Sequence, residues 1–600
     1  MSFQRRQVMA TVPSYTEHRW SKYYEAGVPA SITCPDTTLG NVLAQTASKY
    51  PGHSALLFYG KKISYAELDG LANQFARALT GLGVKKGDRV ALMLPNVPQM
   101  VIAYYGTLRL GGIAVPTNPL YLEHELEVQL RDSGAETLVA LDMFYPVISR
   151  VWQKTNVKHL ILCSVKDFLP FTKKVLYPLK ARLERQAVQE DLKRPIHDFL
   201  ELIKRETTMS VNAAVAADDI ALVQYTGGTT GIPKGAMLTH RNLLVNAMQS
   251  RAWFTHLKEG EDIVLAVIPF FHVYGITIAL NLGILIGAEL ILLPKFHTKE
   301  VLHFINKYRP TIFPGIQAMY LAIGNYPEIH KYDLTSIEAA LCGAGPLMQQ
   351  VQERFEHLTK ARIVEGYGLS EASPVTHANP IFGRRKIGSI GLPWPHTEAR
   401  VVDVETGEKV LSIGEAGELV IRGPQVMKGY WNKPKETDFT LRNGWLHTGD
   451  IAKMDDDGYF YIVDRMKDMV KTGGENVYPR EVEELLYKHP KVQEAVVVGL
   501  PQEFLGEKLK AYIVLKDGMT STDIANSENI TDYAAHIALK EREKATADEI
   551  IEFCNRHISK FKVPNEIEFR HHIPKTLVGK VLRRVLRDEE MKKLAALNPK

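Results

Sequence analysis

The segment between Tyr225 and Gly235 combines the residue types that bind phosphate in proteins. Its sequence is Tyr-Thr-Gly-Gly-Thr-Thr-Gly-Ile-Pro-Lys-Gly. Glycines let backbone N–H groups approach phosphate oxygens closely, threonine hydroxyls can bind the same oxygens or a metal ion, and a lysine supplies positive charge. A Walker A loop places Ser or Thr directly after its lysine, whereas Gly235 follows Lys234 here. The candidate phosphate-binding residues are Thr226, Gly227, Gly228, Thr229, Thr230, Gly231 and Lys234.

A second segment, Glu365–Glu371, predicts contacts with a nucleotide and a metal ion. Tyr367 can stack on a base, and Ser370 can hydrogen-bond a phosphate. Glu371 offers the hard oxygen ligand that Mg²⁺ prefers. Small residues in Cys342–Pro346, after an apolar run, would let a flat ring approach the backbone, although a tight strand-to-helix turn has the same composition.

Three more positions could do chemistry, each with a plainer alternative. Asp450 could accept two hydrogen bonds from a ribose diol, but Thr-Gly-Asp is also an ordinary turn. His272 lies among aromatic residues, where a lone histidine is usually a core residue. Lys580 follows Gly579 and could carry an ammonium to a carboxylate and an α-phosphate, or belong to a solvated basic terminus.

The segment Thr226–Lys234 resembles the signature loop of the adenylate-forming enzymes, which include acyl-CoA synthetases, peptide-synthetase adenylation domains and luciferases. Within that superfamily the chain looks most like the bacterial long-chain fatty acid–CoA ligases, from about Thr37 to about Glu590. The resemblance implies ATP and coenzyme A as co-substrates and Mg²⁺ as cofactor. It implies ligation of a fatty acid to coenzyme A through an acyl-adenylate, with release of AMP and pyrophosphate.

The resemblance also implies a role for each matching residue. Lys580 would be the catalytic lysine of adenylation, with Lys575 a weaker candidate, and Thr226 and Glu371 would flank the metal. Ser370 stands where the family usually has threonine, and it keeps the hydroxyl. For the nucleotide, the other implied site residues are Gly343, Ala344, Gly345, Glu365, Gly366, Tyr367 and Gly368, with Asp450 and Arg465 for its ribose. Beside the hinge and the pantetheine channel they are Lys467, Lys471, Gly473 and Gly474. For the acyl substrate they are Phe271, His272, Ile276 and Gly366.

Other functions of the same family or fold stay open. An aryl-acid ligase of the coumarate type shares these motifs, and so does a luciferase-like oxygenase. A peptide-synthetase adenylation module would need a carrier domain, for which little chain follows Lys580. A non-catalytic lipid-uptake factor could keep the fold, although the intact motifs argue against it. Some long-chain enzymes carry a tryptophan gate where Ile276 stands, so no gate is predicted.

Short β-branched runs alternate with helical patterns over most of the chain, which predicts layered α/β structure. Within an N-terminal domain of residues 1–465, two α/β subdomains precede a β-rich subdomain at about 386–465. Residues 466–600 are predicted to form a small α+β domain, and the resemblance implies that this domain rotates about a hinge, which we place at Met466–Lys467. The apolar stretch Ile263–Pro294 is predicted as strand, loop, helix and strand, with the helix at 276–286, because its polar residues would be costly in a membrane.

Composition limits the remaining possibilities. A chain of 600 residues exceeds a single hydrophobic core. Its net charge of +5 is too weak to indicate nucleic acid, and its four separated cysteines indicate neither a disulfide framework nor a zinc site. We expect a cytoplasmic monomer or homodimer without a signal peptide. The stretch Lys166–Arg185 combines basic and apolar residues, which suggests either peripheral contact with the inner face of a membrane or a solvated surface segment. The polar stretch Thr520–Thr546 suggests an insertion at the surface.

Overall fold

The computed structural model describes residues 19–170, 195–211, 213–226, 233–472, 475–502, 506–516, 547–575 and 581–597. The predicted insertion 520–546 and most of the basic stretch, from residue 171 onward, lie outside this part of the chain. Phe168, an apolar residue of the basic stretch that is described, is buried in the core. Among the described residues, no helix combines the length and apolar character needed to span a membrane.

Sheet I is built from mostly parallel strands and a hairpin at one edge. Its strands, in spatial order, are Gly429–Tyr430, Lys234–Thr239, Ile220–Thr226, Ile113–Pro116, Arg89–Met93, Thr137–Leu141, His159–Cys163 and Ile196–Asp198. Strand Lys234–Thr239 runs antiparallel to Ile220–Thr226. From Ile220–Thr226 to Ile196–Asp198, all neighbouring strands pair in parallel. In such a sheet, ligands bind outside the carboxyl ends of the strands, where Thr226 lies.

Sheet II is also parallel at its centre. Its spatial order is Leu392–Pro393, Val375–Ala378, Arg362–Gly368, Ala339–Gly343, Ile312–Ile316, Ile263–Ala266, Glu289–Leu292, Ser54–Phe58 and Lys61–Ser64. The two strands at one edge and the last strand at the other run antiparallel to their neighbours. Its parallel strands are short and almost fully buried, as expected for a sheet with both faces covered.

Two antiparallel sheets follow. Sheet III contains Glu398–Val402, Gly417–Arg422, Trp445–Met454, Leu441–Arg442 and Phe460–Arg465. Sheet IV contains Glu475–Val477, Val470–Thr472, Gly506–Leu515 and Val492–Gln502, with Glu566–Phe569 added in parallel. Between the two sheets, the backbone N–H of Met466 still donates to Gly449 O (2.9 Å), so sheet III hydrogen bonding ends at the residue before Lys467.

Helices cover the faces of sheets I and II and the C-terminal sheet. They are Leu39–Lys49, Tyr65–Gly81, Pro98–Leu110, Glu123–Ser133, Tyr145–Trp152, Phe199–Lys204, His240–Trp253, Leu282–Leu285, Thr298–Tyr308, Gln317–Gly324, Gln349–Thr359, Pro434–Thr440, Pro479–Leu486, 547–557 and Arg583–Leu597. Local signals begin several of them. Ser64 and Glu67 form a capping box, and Pro98 occupies the first helical position, where its missing N–H costs nothing. The predicted layered α/β fold with a small C-terminal α+β part is confirmed.

The predicted helix at 276–286 differs in its winding. Residues Gly275–Asn281 form a π-helix, and Leu282–Leu285 form a short α-helix. Every residue of the π-helix is buried. Because every residue of this segment is buried, an α-helix and a π-helix would have the same apolar composition here. The sequence therefore predicts burial but not the number of residues per turn. π-helical turns are rare and frequently lie at functional sites, and this one begins three residues after His272.

The range predicted to be β-rich, 386–465, contributes strands to three sheets. Leu392–Pro393 joins sheet II and Gly429–Tyr430 joins sheet I, while the remainder forms sheet III. Two-residue strands carry too little alternation to predict a partner, so the sequence pattern could not assign them. The strand Gly429–Tyr430 matters because it lies beside the candidate phosphate loop.

Candidate active site

The ends of the phosphate loop are fixed by the hairpin of sheet I. Thr226 is the last residue of its strand and lies opposite Lys234, the first residue of the next. The Thr226 hydroxyl donates to the Lys234 carbonyl oxygen at 3.4 Å. The loop residues between them, Gly227, Gly228, Thr229, Thr230 and Gly231, lie outside the described residues. The hairpin therefore sets the span of the loop at the carboxyl edge of the parallel strands.

Glu371 lies next to this hairpin. It belongs to the short 3₁₀-helix Ser370–Ala372, which packs against strand Lys234–Thr239. The Tyr430 hydroxyl donates to Glu371 Oε1 at 2.7 Å, and the Lys234 ammonium lies 5.2 Å from the centre of the Tyr430 ring. Burial and the neighbouring Glu371 raise the pKa of Tyr430, so the phenol keeps its proton. Three elements distant in sequence thus bring a carboxylate, a phenol and an ammonium together.

The donor set fits Mg²⁺. In the described part of the chain, no group of three or more His, Cys, Asp or Glu side chains could hold a metal ion. Mg²⁺ is commonly held by one or two carboxylates together with substrate phosphates and water, and does not need an all-protein cage. Glu371 supplies a half-buried carboxylate and Thr226 a hydroxyl. The oxygen chemistry of these two residues suits the predicted metal site.

A second cluster joins the strand carrying Tyr367 to sheet III. The Tyr367 hydroxyl donates to Asp450 Oδ2 at 2.6 Å, and Arg465 Nε lies 3.3 Å from Asp450 Oδ1. Asp450 and Arg465 are register partners on adjacent antiparallel strands, which accounts for their contact. Burial and the Asp450 carboxylate raise the pKa of Tyr367 well above its ordinary value. Tyr367, Asp450 and Arg465, predicted from two separate motifs, are brought together.

Glu365 supports the loop that carries Gly343, Ala344 and Gly345. Its Oε2 accepts a hydrogen bond from the backbone N–H of Leu347 at 2.9 Å, and burial raises its pKa to about 7. Gly343 is buried at the end of its strand, whereas Ala344 and Gly345 are exposed. A Cβ on Gly343 would lie 3.0 Å from the Tyr274 ring. The hydrogen bond of the Glu365 side chain is thus with this loop, which makes Glu365 a support for the predicted adenine site.

The remaining residues of the Glu365–Glu371 segment complete this region. Gly366 and Gly368 are on strand Arg362–Gly368, and Ser370 begins the 3₁₀-helix. A Cβ on Gly366 would meet the Leu341 side chain at 2.8 Å, and one on Gly368 would meet Pro374 O at 2.1 Å. Glycine is required at Gly368 because the backbone of another segment occupies the space of a side chain.

The predicted acyl side lies on the loop before the π-helix. Burial lowers the pKa of His272 to about 4, so the imidazole is neutral near pH 7. Its ring contacts the Phe271 ring, with centroids 4.8 Å apart, and makes no hydrogen bond within the described part of the chain. Phe271 is 7% exposed and Ile276 is fully buried. His272 thus offers neutral, unengaged nitrogens, while Ile276 packs in the core.

The C-terminal candidates are only partly described. Lys580, Gly473 and Gly474 lie outside the described residues, and Lys467 and Lys471 are exposed. Lys575, the weaker candidate, forms an ion pair with Glu494 at 2.8 Å. On the far side of Lys580, Arg583 donates to both carboxylate oxygens of Glu483, at 2.8 and 2.6 Å. Ion pairs therefore hold the chain on both sides of the segment 576–580.

Comparison with known proteins decides the family. The model of the AMP-binding enzyme family matches residues 43–431, and that of the AMP-binding enzyme C-terminal domain matches residues 481–580. The chain belongs to the AMP-binding enzyme family. A long-chain-fatty-acid–CoA ligase of Bacillus subtilis (strain 168) is 46% identical over 95% of this chain and 98% of its own length. One of Salmonella typhimurium is 39% identical over 95% and 98%.

A solved structure agrees with this assignment. The anthranilate CoA ligase AuaEII in complex with anthranoyl-AMP has a TM-score of 0.79 at 26% identity, covering 94% of this chain and 99% of that one. The predicted membership of the adenylate-forming superfamily, with greatest likeness to the bacterial long-chain ligases, is confirmed. Sequence reasoning missed Tyr430; the Gly-Tyr-Trp run after Lys428 was its only local signal.

Proposed function

We propose that this member of the AMP-binding enzyme family catalyses the ATP-dependent ligation of a long-chain fatty acid to coenzyme A. A fatty carboxylate oxygen attacks the α-phosphorus of ATP. The bond between the α-phosphorus and the oxygen that bridges it to the β-phosphorus breaks, so that acyl-AMP and pyrophosphate form. The thiol of coenzyme A then attacks the acyl carbonyl, loses its proton, and displaces AMP. The observation that carries the proposal is the cluster of Glu371, Tyr430 and Lys234 at the phosphate hairpin.

Each residue acts by placement and charge. Lys234 and the backbone of the loop bind phosphate oxygens, and Asp450 with Arg465 holds the ribose. Glu371 and Thr226 would hold Mg²⁺, which neutralises phosphate charge when bound. Neutral His272 lies between the nucleotide and the acyl chain. The C-terminal domain delivers Lys580 for the first step and, after rotation about Met466–Lys467, borders the pantetheine channel with Lys471, Gly473 and Gly474.

A carboxylate series tests the function. Pyrophosphate exchange into ATP and CoA-dependent AMP release are measured with saturated acids of increasing chain length and with benzoate and coumarate. We expect activity with fatty acids and a preference for long chains. Activity confined to ring acids would favour an aryl-acid ligase, and an absence of exchange with every acid would favour a non-catalytic lipid-binding role.

Lys580 separates the two steps. Lys580→Ala is expected to lower adenylation about 100-fold or more, because a charge that stabilises the transition state is lost. Thioester formation from preformed acyl-AMP should stay near the wild-type rate. Lys575→Ala, which removes the other lysine of the segment, is the matched control and should affect adenylation much less. Equal loss of both steps in Lys580→Ala would contradict this role.

Location and assembly are proposed on composition alone. We propose a cytoplasmic monomer or homodimer, with basic residues of 166–185 contacting the inner face of a membrane. Binding to vesicles with and without anionic lipid tests the contact. Replacing the lysines and arginines of 166–185 with glutamine should weaken binding to anionic vesicles, and unchanged binding would overturn the idea.

A further inference from the structure

Tyr430 connects the two charged groups that are proposed to handle the triphosphate. Its hydroxyl donates to one oxygen of Glu371, at 2.7 Å, and its ring lies 5.2 Å from the Lys234 ammonium. The second oxygen of Glu371, Oε2, accepts no hydrogen bond within the described part of the chain. One oxygen of the carboxylate is therefore committed to the phenol, and the other is available to a ligand.

The backbone around Tyr430 is fixed from both sides. The N–H of Trp431 donates to Gly235 O at 2.7 Å, and the N–H of Lys428 donates to Met237 O at 2.9 Å. The N–H of Met427 donates to Glu371 O at 2.8 Å. The segment 427–431 thus hydrogen-bonds to the phosphate hairpin and to the Glu371 helix at the same time.

Gly429 makes this approach possible. Its φ of +145° is in a region that side chains disfavour, and a Cβ would lie 2.7 Å from Thr437 Cγ2. The Tyr430 N–H donates to Thr437 Oγ1 at 2.9 Å, and the side chain is 7% exposed. Tyr430 is held in one place before any ligand binds, which preorganises its two contacts.

We propose that Tyr430 is a positioning residue for adenylation: it orients the Glu371 carboxylate toward Mg²⁺ and the phosphates and keeps Lys234 beside them. This rests on the proposed function. A hydrogen bond from the neutral phenol to a carboxylate selects one rotamer of Glu371 and leaves Oε2 as the metal-facing oxygen. The ring face attracts the ammonium of Lys234 and limits its motion.

Tyr430→Phe removes the hydroxyl and retains the ring. The Mg²⁺ concentration giving half-maximal pyrophosphate exchange is expected to rise roughly 10-fold, the effect of losing one hydrogen bond to a charged group. Calorimetric titration with a non-hydrolysable ATP analogue is expected to show weaker binding with Mg²⁺ and unchanged binding without it. Thioester formation from preformed acyl-AMP should be unaffected.

Tyr461→Phe is the matched control. Tyr461 is half-buried, lies on strand Phe460–Arg465 of sheet III, and its hydroxyl donates to a carboxylate, Asp455 Oδ2, at 3.1 Å. The control removes the same kind of hydrogen bond, so it is expected to lose thermal stability while keeping the wild-type Mg²⁺ dependence. An equal change of Mg²⁺ dependence in both variants, or none in Tyr430→Phe, would overturn the proposal.

A double-mutant cycle supplies a second test. Glu371→Gln can still accept from the phenol but has no charge for a metal. In that background, Tyr430→Phe should change Mg²⁺-dependent analogue binding no further. Additive effects would overturn the proposal. If the wild type shows no exchange with any acid, the proposed function fails, while the binding measurements still decide the role of Tyr430.

Discussion

Single residues of this site act through fixed partners. Asp450 is 7% exposed and contacts both the Tyr367 hydroxyl and Arg465. A buried carboxylate held in this way has fixed oxygens, so binding the proposed ribose diol would need no reorganisation of the side chain. The orientation of Asp450 therefore depends on the strands that carry Tyr367 and Arg465. Replacing Asp450 with asparagine, which has the same shape, tests the contribution of its negative charge.

Asp450→Asn is expected to raise the KM for ATP about 10-fold, because the amide no longer pairs with Arg465 and accepts through one oxygen only. The KM for the fatty acid should stay unchanged. Steady-state kinetics with each substrate varied in turn measures both. The control is Asp403→Asn, whose carboxylate accepts from the nearby Thr406 N–H at 2.9 Å on a turn of sheet III. An unchanged KM for ATP in Asp450→Asn would argue against the ribose role.

Glu365 gives a pH-dependent prediction. Burial raises its pKa from 4.5 to about 7, opposed by Arg480 and by the Leu347 N–H and reinforced by Glu484. The folded chain thus binds this proton more tightly than the unfolded chain, and its stability falls as pH rises from about 4.5 to about 7. Glu365→Gln cannot ionise, so its melting temperature relative to wild type should increase from pH 5 to pH 8.

The size of that effect is at most about 3 kcal/mol, from 1.36 kcal/mol per pKa unit. Thermal melts of wild type, Glu365→Gln and the exposed Glu353→Gln at both pH values measure it. Since Glu353 is on the solvent side of its helix, the control should follow the wild type. A constant difference between Glu365→Gln and wild type would show that Glu365 does not titrate in this range.

At the scale of elements, Gly368 marks a close approach of two backbone segments. Gly368→Ala would place a Cβ 2.1 Å from Pro374 O, so we expect a loss of about 1–3 kcal/mol in stability from overpacking. Nothing lies within 4 Å of a Cβ on Gly345, so Gly345→Ala should leave stability unchanged. Thermal unfolding of the two variants compares them. Equal melting temperatures would mean that the loop around Pro374 can yield.

Sequence patterns predicted elements better than their partners. The alternation of β-branched runs with helical patterns correctly predicted layered α/β structure, because burial and local caps are properties of neighbouring residues. Strand Arg89–Met93 and helix Pro98–Leu110 are two of the elements that form. The π-helix Gly275–Asn281 and the two-residue strand Gly429–Tyr430 could not be predicted. The strand Gly429–Tyr430 pairs with Lys234–Thr239, a segment far away in the sequence, and for that reason Tyr430 was missed while Glu371 was found.

At the scale of the whole molecule, the first described residues stabilise a distant sheet. Trp20 is 2% exposed and packs edge-on against Phe460, with ring centroids 6.3 Å apart. A Cβ on Gly458 would lie 2.9 Å from Trp20 Cβ, and the Tyr23 hydroxyl donates to Asp457. The segment Arg19–Tyr23 is therefore attached to the turn that joins the last two strands of sheet III.

Trp20→Ala is expected to lower stability by about 3–5 kcal/mol, because a large buried ring is removed and a cavity is left. Differential scanning calorimetry should show this in the transition that contains sheet III. Phe439→Ala is the control, since that side chain is 71% exposed and its removal leaves no cavity. Unfolding temperatures that fall equally in both variants would contradict the attachment.

The hairpin of Trp445–Met454 and Phe460–Arg465 has a mechanical consequence. Its turn is attached to Trp20 and Tyr23, while its last residue, Arg465, contacts Asp450 and leads within two residues to the proposed hinge. Five residue-to-residue steps of extended strand, roughly 17 Å, separate Phe460 from Arg465. Paired strands resist stretching, so the hairpin holds the Asp450–Arg465 pair at a fixed distance from the segment Arg19–Tyr23. If the C-terminal domain rotates about Met466–Lys467 as proposed, the residues next to this pair are the first to bear the movement.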